Sequence, residues 1–282
     1  MTLTDEDQTP PREEQRAWER RTGVPVAAIA FVSALFVVVG FVYQVAGVKS
    51  HGKGSAASLR TVHENASKIV TIGVLESIGL ILLPVVLWYL YRVTRYRRAE
   101  LRQFALYLAV GGGVALAVLQ VLRQVEIVHV ARQFVHLAVS AQTNSKADDL
   151  AKHGSLQAYG LLGLLAGVVM GAGLVLINLN AMRAGVITRF LGILGMIMGV
   201  LYVLPIGPPQ LLQLFWLGGL GVIFLDRWPG GRGPAWDKMV GEPWPSGVEQ
   251  RMAKQTAAGN GSANVEPEPA ARPRSRKRKK RR

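Results

Sequence analysis

The chain has no cysteine among its 282 residues, which excludes disulfides, thiol catalysis and thiolate metal sites. Charge is also scarce, at 18% Asp, Glu, Lys and Arg. The usual catalytic signatures are missing. Gly111-Gly112-Gly113 lies in an apolar stretch with no Lys-Ser or Lys-Thr after it, so it is no phosphate-binding loop. No nucleophile elbow, kinase signature or His-Glu-x-x-His spacing occurs. No catalytic constellation is visible, which points away from an enzyme, and the sequence implies no cofactor.

What the chain does contain is hydrocarbon. Half of its residues are hydrophobic and the mean hydropathy is +0.24, values that fit an integral membrane protein. Leu156–Leu179 is a run of 24 residues without Asp, Glu, Lys or Arg, and about 20 helical residues cross a bilayer core about 30 Å thick. Comparable runs predict six spans: Val24–Val45, Ile69–Tyr91, Gln103–Leu122, Leu156–Leu179, Phe190–Ile206 and Pro209–Leu225. The expected fold is an all-α polytopic membrane bundle occupying residues 24–228. Pro25 suits a first helical turn. Pro205-Ile206-Gly207-Pro208-Pro209 reads as a tight hairpin between the last two spans.

The third run does not stop cleanly. Helical pattern continues to about Ser140, and an unbroken helix from Gln103 would be about 57 Å long at 1.5 Å per residue. Its second half carries Arg123, Glu126, His129, Arg132 and His136, and each charge at a helix centre costs about 2.5–3.5 kcal/mol on insertion. Arg123–Ser140 therefore reads as an amphipathic extension that leaves the membrane or bends along its surface.

Arginine-rich segments before the first span, at 92–102, at 180–189 and after Leu225 fall on one side. The positive-inside rule makes that side cytoplasmic, with both termini there, in a multi-pass cell-membrane protein. Residues 1–23 are a polar N-terminal segment, unlike a secretory signal. Residues 229–248 form a Pro-, Trp- and Gly-rich juxtamembrane segment, and 249–282 a tail whose composition predicts disorder. Nine of the 33 basic residues fall within Arg272–Arg282. Arg276, Lys277, Arg278, Lys279, Lys280, Arg281 and Arg282 offer contact to anionic lipid head groups, or act as solvated charge that enforces topology. No aromatic residue interleaves with them, so nucleic acid has no stacking platform.

Few residues inside the spans stand out. Glu76 is the one formally charged residue well within a span. Such groups face the protein interior and mark pathways or relays, or else form structural ion pairs. Arg123 is its expected partner, and Pro84 predicts a kink about two turns further on. Glu76, Arg123, Glu126, His129 and His136 make one candidate polar or metal site, since Glu-x-x-His on a helix can present two ligands to a divalent cation. Surface histidines on an amphipathic helix also occur without any such role. Gly163, Gly167 and Gly171, with Gly195 and Gly199, repeat at small-xxx-small spacing. They serve either packing among the six helices or a homo-oligomer seam.

The segment Arg183-Ala-Gly-Val-Ile-Thr-Arg-Phe-Leu-Gly-Ile-Leu-Gly-Met-Ile-Met-Gly199, and the Glu76 helix ending Leu-Trp-Tyr-Leu-Tyr-Arg92, resemble a bacterial family of six-helix membrane proteins catalogued as a domain of unknown function. The likeness covers about residues 25–226. The basic tail and the Arg-Trp-Pro-Gly-Gly stretch after Asp226 depart from the pattern and suggest an actinobacterial-type member. The resemblance implies a topology and supplies no activity. Three functions stay open: a non-enzymatic structural, sensory or accessory module, a small-solute or ion transporter using Glu76 and the Pro84 kink, and an outward-facing membrane metalloenzyme.

Overall fold

The computed structural model describes residues 10–48, 52–152, 154–204, 209–229 and 231–245, together with Met252 and Gln255. The chain divides into two units, Met1–Trp244 and Pro245–Arg282. The basic tail, Arg276 to Arg282 included, lies outside the described residues, as does the expected turn at 205–208.

All described regular structure is helical. The elements are α1 (Arg12–Gly47), α2 (Ser55–Glu64), α3 (Ala66–Arg97), α4 (Gln103–Val135), α5 (Asn144–Lys152), α6 (Ser155–Arg183), α7 (Arg189–Leu201), α8 (Pro209–Phe224) and α9 (Pro234–Lys238). Four of them, α1, α3, α4 and α6, are long and apolar enough to cross a bilayer, while α7 and α8 are apolar but shorter. With 13 and 16 residues, those two reach only about 20 and 24 Å at 1.5 Å per residue.

Neighbouring helices pack in the order α1–α3–α4–α6–α7–α8 and back to α1, which closes a ring. Within it α3 also meets α6. Leu83, Val86, Leu87, Tyr89 and Leu90 of α3 are fully buried, which makes this helix the axis of the core. In lipid, burying apolar surface between helices yields no hydrophobic gain, so close backbone approach and internal hydrogen bonds hold the bundle.

The bundle has two ends. The near end carries the start of α1 and the end of α3, and the far end carries the reverse. At the near end, α1 begins at Arg12, twelve residues before the expected span, so Pro25 lies inside the helix instead of in its first turn. The turns before the proline persist because they are packed. Gln15, Glu19 and Gly23 are buried on the face that continues into Val26, Ala27, Ala30 and Ala34. Trp18 stacks edge-on against Trp88, with 5.8 Å between ring centroids. The Arg92 guanidinium lies 4.3 Å from the Trp18 ring centre, a favourable cation–π distance.

At the far end, the second half of α4 continues unbroken to Val135. It does not run bare along a surface. Val130, Ala131 and Phe134 bury against Leu59 of α2, Ala147 of α5 and Leu156 of α6, in a second small core apart from the main one. The loops between spans thus contain helices that clothe the extension. A helix with an apolar stripe outside hydrocarbon needs such cover.

Candidate functional site

Glu76 sits on α3 where α1 makes room for it. A side chain at Gly40 would bring its Cβ to 2.9 Å from Glu76 Cγ. Glu76 as a whole is 8% exposed, and Gln120 Nε2 of α4 donates to its Oε2 at 2.9 Å. Beyond it lies a cavity of about 180 Å³ lined by Glu76, Gln120, Tyr202, Gln210 and Gln213, with apolar wall from Val37, Leu80 and Leu116. The Tyr202 hydroxyl donates to Gln213 Oε1 at 2.8 Å. Among the described residues, three polar atoms here are buried and make no hydrogen bond of good geometry: Glu76 Oε1, Gln210 Oε1 and Gln213 Nε2, although the Gln210 side chain lies against the Glu76 carboxyl. Each such atom costs about 1–3 kcal/mol if nothing meets it.

The short helices create this cavity. Tyr202 caps the end of α7, and Gln210 and Gln213 fall in the first turns of α8. Because α7 and α8 stop short of the far end, their polar termini arrive beside Glu76 within the bundle. Pro84, inside α3, lacks the amide that would bond the Leu80 carbonyl one turn back.

The five residues expected to share one polar site are not brought together. Glu76 pairs with Gln120 and not with Arg123, which is exposed on α4. Glu126 Oε1 accepts from Ser155 Oγ at 2.6 Å. His129 Nε2 lies 2.9 Å from Gln133 Nε2, and His136 is exposed at the end of α4. None of these four lines the cavity. The reason is helical rise, since His136 lies sixteen residues past Gln120, about 24 Å further along an unbroken helix. Among the described residues, no three His, Asp or Glu side chains gather as a metal site would require.

The glycines divide as well. A Cβ on Gly171 would collide with the Gly199 carbonyl, and one on Gly199 would lie 2.7 Å from the Gly171 carbonyl. On Gly167 it would lie 2.6 Å from the Tyr202 carbonyl, and on Gly195 it would strike Asn178. Gly167, Gly171 and Gly199 let α6 and α7 meet backbone to backbone, and Gly195 makes room for the Asn178 side chain. Gly163, by contrast, faces open space. Asn178 is fully buried and accepts from Trp216 Nε1 at 3.0 Å.

Sequence reasoning missed the near-end network. Arg97 Nη1 and Nη2 reach Glu19 Oε1 and Oε2 at 2.7 and 3.0 Å. Arg97 Nε also donates to the Ala235 carbonyl at 2.7 Å. The Trp236 ring of α9 lies 5.0 Å from the Arg97 guanidinium and 4.9 Å from that of Arg232, and its Nε1 donates to the Val186 carbonyl at 2.9 Å. Within the segment 229–248, expected from sequence as a Pro-, Trp- and Gly-rich juxtamembrane stretch, residues 231–244 fold back as a plug. Glu242 N donates to the Ala184 carbonyl at 3.1 Å. Gly185, at φ 75°, admits the Glu242 carbonyl where any Cβ would collide. The legible signal was the four-residue spacing of Gln15, Glu19 and Gly23, which extends the buried stripe of α1 into a polar segment.

Long apolar helices, polar groups turned inward and apolar faces turned outward define a multi-pass helical membrane protein that would contact lipid. Residues 26–220 match the family described as Domain of unknown function (DUF4386), and the chain belongs to that family. The matched stretch takes in Glu76 and Arg97 but neither Glu19 nor Trp236. No curated protein and no solved structure matches the chain.

Proposed function

We propose that this protein is a non-enzymatic sensory or accessory membrane module of six spans, with both termini cytoplasmic, that receives a small polar solute in the Glu76 cavity from the far side. One observation carries the reading. Three buried polar atoms from α3 and α8 belong to residues lining a single cavity and make no hydrogen bond of good geometry among the described residues, and intramembrane ionisable groups are retained where they contact a ligand or a pathway. The cavity wall supports binding in preference to catalysis. It holds one carboxyl, three amides and a phenol, with no nucleophile beside an imidazole or amine base. The six spans count α7 and α8 as a short hairpin that crosses with local thinning or with help from flanking residues. The charge of the basic tail supports contact with anionic lipid on the cytoplasmic face.

Because the chain has no cysteine, single cysteines report exposure without background. Gln210→Cys and Thr143→Cys in intact cells should react with a membrane-impermeant thiol reagent, while Glu100→Cys should react only after permeabilisation. Labelling of Glu100→Cys from outside would invert the topology. An unreactive Gln210→Cys beside a reactive Thr143→Cys would remove access to the cavity.

A second reading, transport through the same cavity, is favoured by the position of Pro84, one turn from the cavity-lining Leu80. Solute flux into proteoliposomes that is lost in Pro84→Ala would select it.

A further inference from the structure

Resting on the reading of the Glu76 cavity as a receiving site, we propose that its ligand is a small protonated amine that also carries a hydrogen-bond acceptor, of the amino-alcohol kind. The charge of the lining comes first. Among the described residues, Glu76 is the only carboxylic acid lining the cavity, and no Lys, Arg or His lines it as well. Gln120 supplies a neutral amide to one carboxylate oxygen, which satisfies a lone pair and leaves the charge unbalanced. A buried carboxylate calls for a cation, and here the ligand supplies it.

The hydrogen-bonding inventory narrows the class. Glu76 Oε1 and Gln210 Oε1 are unpartnered acceptors, so the cation must bring N–H donors. An ammonium has three. Both acceptors belong to residues that line the cavity. A quaternary ammonium has no donor to offer either of them. Gln213 Nε2 is an unpartnered donor, its own Oε1 being held by the Tyr202 hydroxyl. It needs an acceptor on the ligand, and it disfavours a bare metal ion, which wants oxygen on every side. The cavity, about 180 Å³, has room for a solute of several heavy atoms where a single water takes about 30 Å³ of liquid. Val37, Leu80 and Leu116 suit a short alkyl linker between ammonium and acceptor.

The test uses the full chain purified in detergent, with ethanolamine as the probe and binding read by titration calorimetry and by the rise in melting temperature. Ethylene glycol matches its size without the charge, tetramethylammonium carries the charge without N–H donors, and sodium chloride controls for ionic strength. The expected result is saturable binding of ethanolamine alone. Binding should be weaker by about tenfold or more in Glu76→Gln, as loss of a charged hydrogen bond requires, and unchanged in Arg123→Gln. Gln210→Leu, which leaves the carboxyl in place, gives a second reading of the same contact should Glu76→Gln fail to fold. Ethylene glycol binding as tightly as ethanolamine would overturn the amine and leave the receiving site standing. Failure of every probe together with an unreactive Gln210→Cys would overturn both. Binding unaltered by Glu76→Gln and by Gln210→Leu would place the amine elsewhere and end the proposal.

Discussion

Arg97 and Glu19 face each other 2.7 Å apart with side chains that are 0% and 4% exposed. They join the end of α3 to the start of α1. Gln15 Nε2 donates to the same Glu19 oxygen at 2.9 Å, so the carboxylate is met from two sides. Taking two charges out of water is costly, and their attraction offsets that cost only while both are present.

Removing one partner should therefore do more harm than removing both. Arg97→Met is expected to lose about 3–5 kcal/mol of stability, the usual result of stranding a buried charge. The double variant Arg97→Met with Glu19→Leu should recover much of the loss. Unfolding in detergent, followed by intrinsic tryptophan fluorescence, checks this. A double variant no better than the single would show that the lost contacts of Arg97 to the Ala235 and Val93 carbonyls dominate.

Trp236 closes the near end through its ring and its indole N–H. Trp236→Ala should cost about 3–5 kcal/mol, the range for deleting a large buried aromatic, and should open residues 231–244 to protease. Mass spectrometry of limited digests reads the second effect directly. Cleavage in that stretch at the wild-type rate would show that α9 docks without the ring.

The glycine pairs give opposite expectations on one helix. Gly171→Val places a side chain against the Gly199 carbonyl and should separate α6 from α7, with loss of folded protein on size-exclusion chromatography. Gly163→Ala meets nothing in the chain and should leave stability equal or higher by about 1 kcal/mol, the helix-propensity difference. If Gly163→Ala instead disrupted an assembled state, the open face would belong to a second copy.

Asn178 and Trp216 can be separated by a cycle. Asn178→Leu leaves the Trp216 N–H buried and unpaired, at a cost of about 1–3 kcal/mol. Trp216→Phe in the same background removes the orphaned donor and should return part of that loss. A cycle with no coupling would mean that the 3.0 Å bond contributes nothing to stability.

Much of the bundle is legible along the chain. The long spans announce themselves by runs without charge, and Glu76 by being the lone acid inside one. Its partner was not legible. Arg123 is the nearer cation by charge, yet it lies three residues from Gln120, about 60° around the helix and about 4.5 Å along it, which turns Arg123 outward and Gln120 inward. Gln210 and Gln213 come from a helix more than a hundred residues away, and no local pattern marks them as neighbours of Glu76. Arg97 and Glu19 read as two more members of arginine-rich and glutamate-bearing flanks. Only the plug formed by α9 makes them a buried pair.

The amino-acid order by itself determined the solvent of this protein and where its apolar helices fall along the chain, though not where each begins and ends. Those properties depend on hydropathy summed over some twenty neighbours, and a linear chain displays that sum. Tertiary structure alone decided which polar groups meet: Glu76 with Gln120 and α8, Glu19 with Arg97, Asn178 with Trp216. Such meetings depend on helix rotation and on where a short helix ends, both set by glycine-to-backbone contacts between segments remote in sequence.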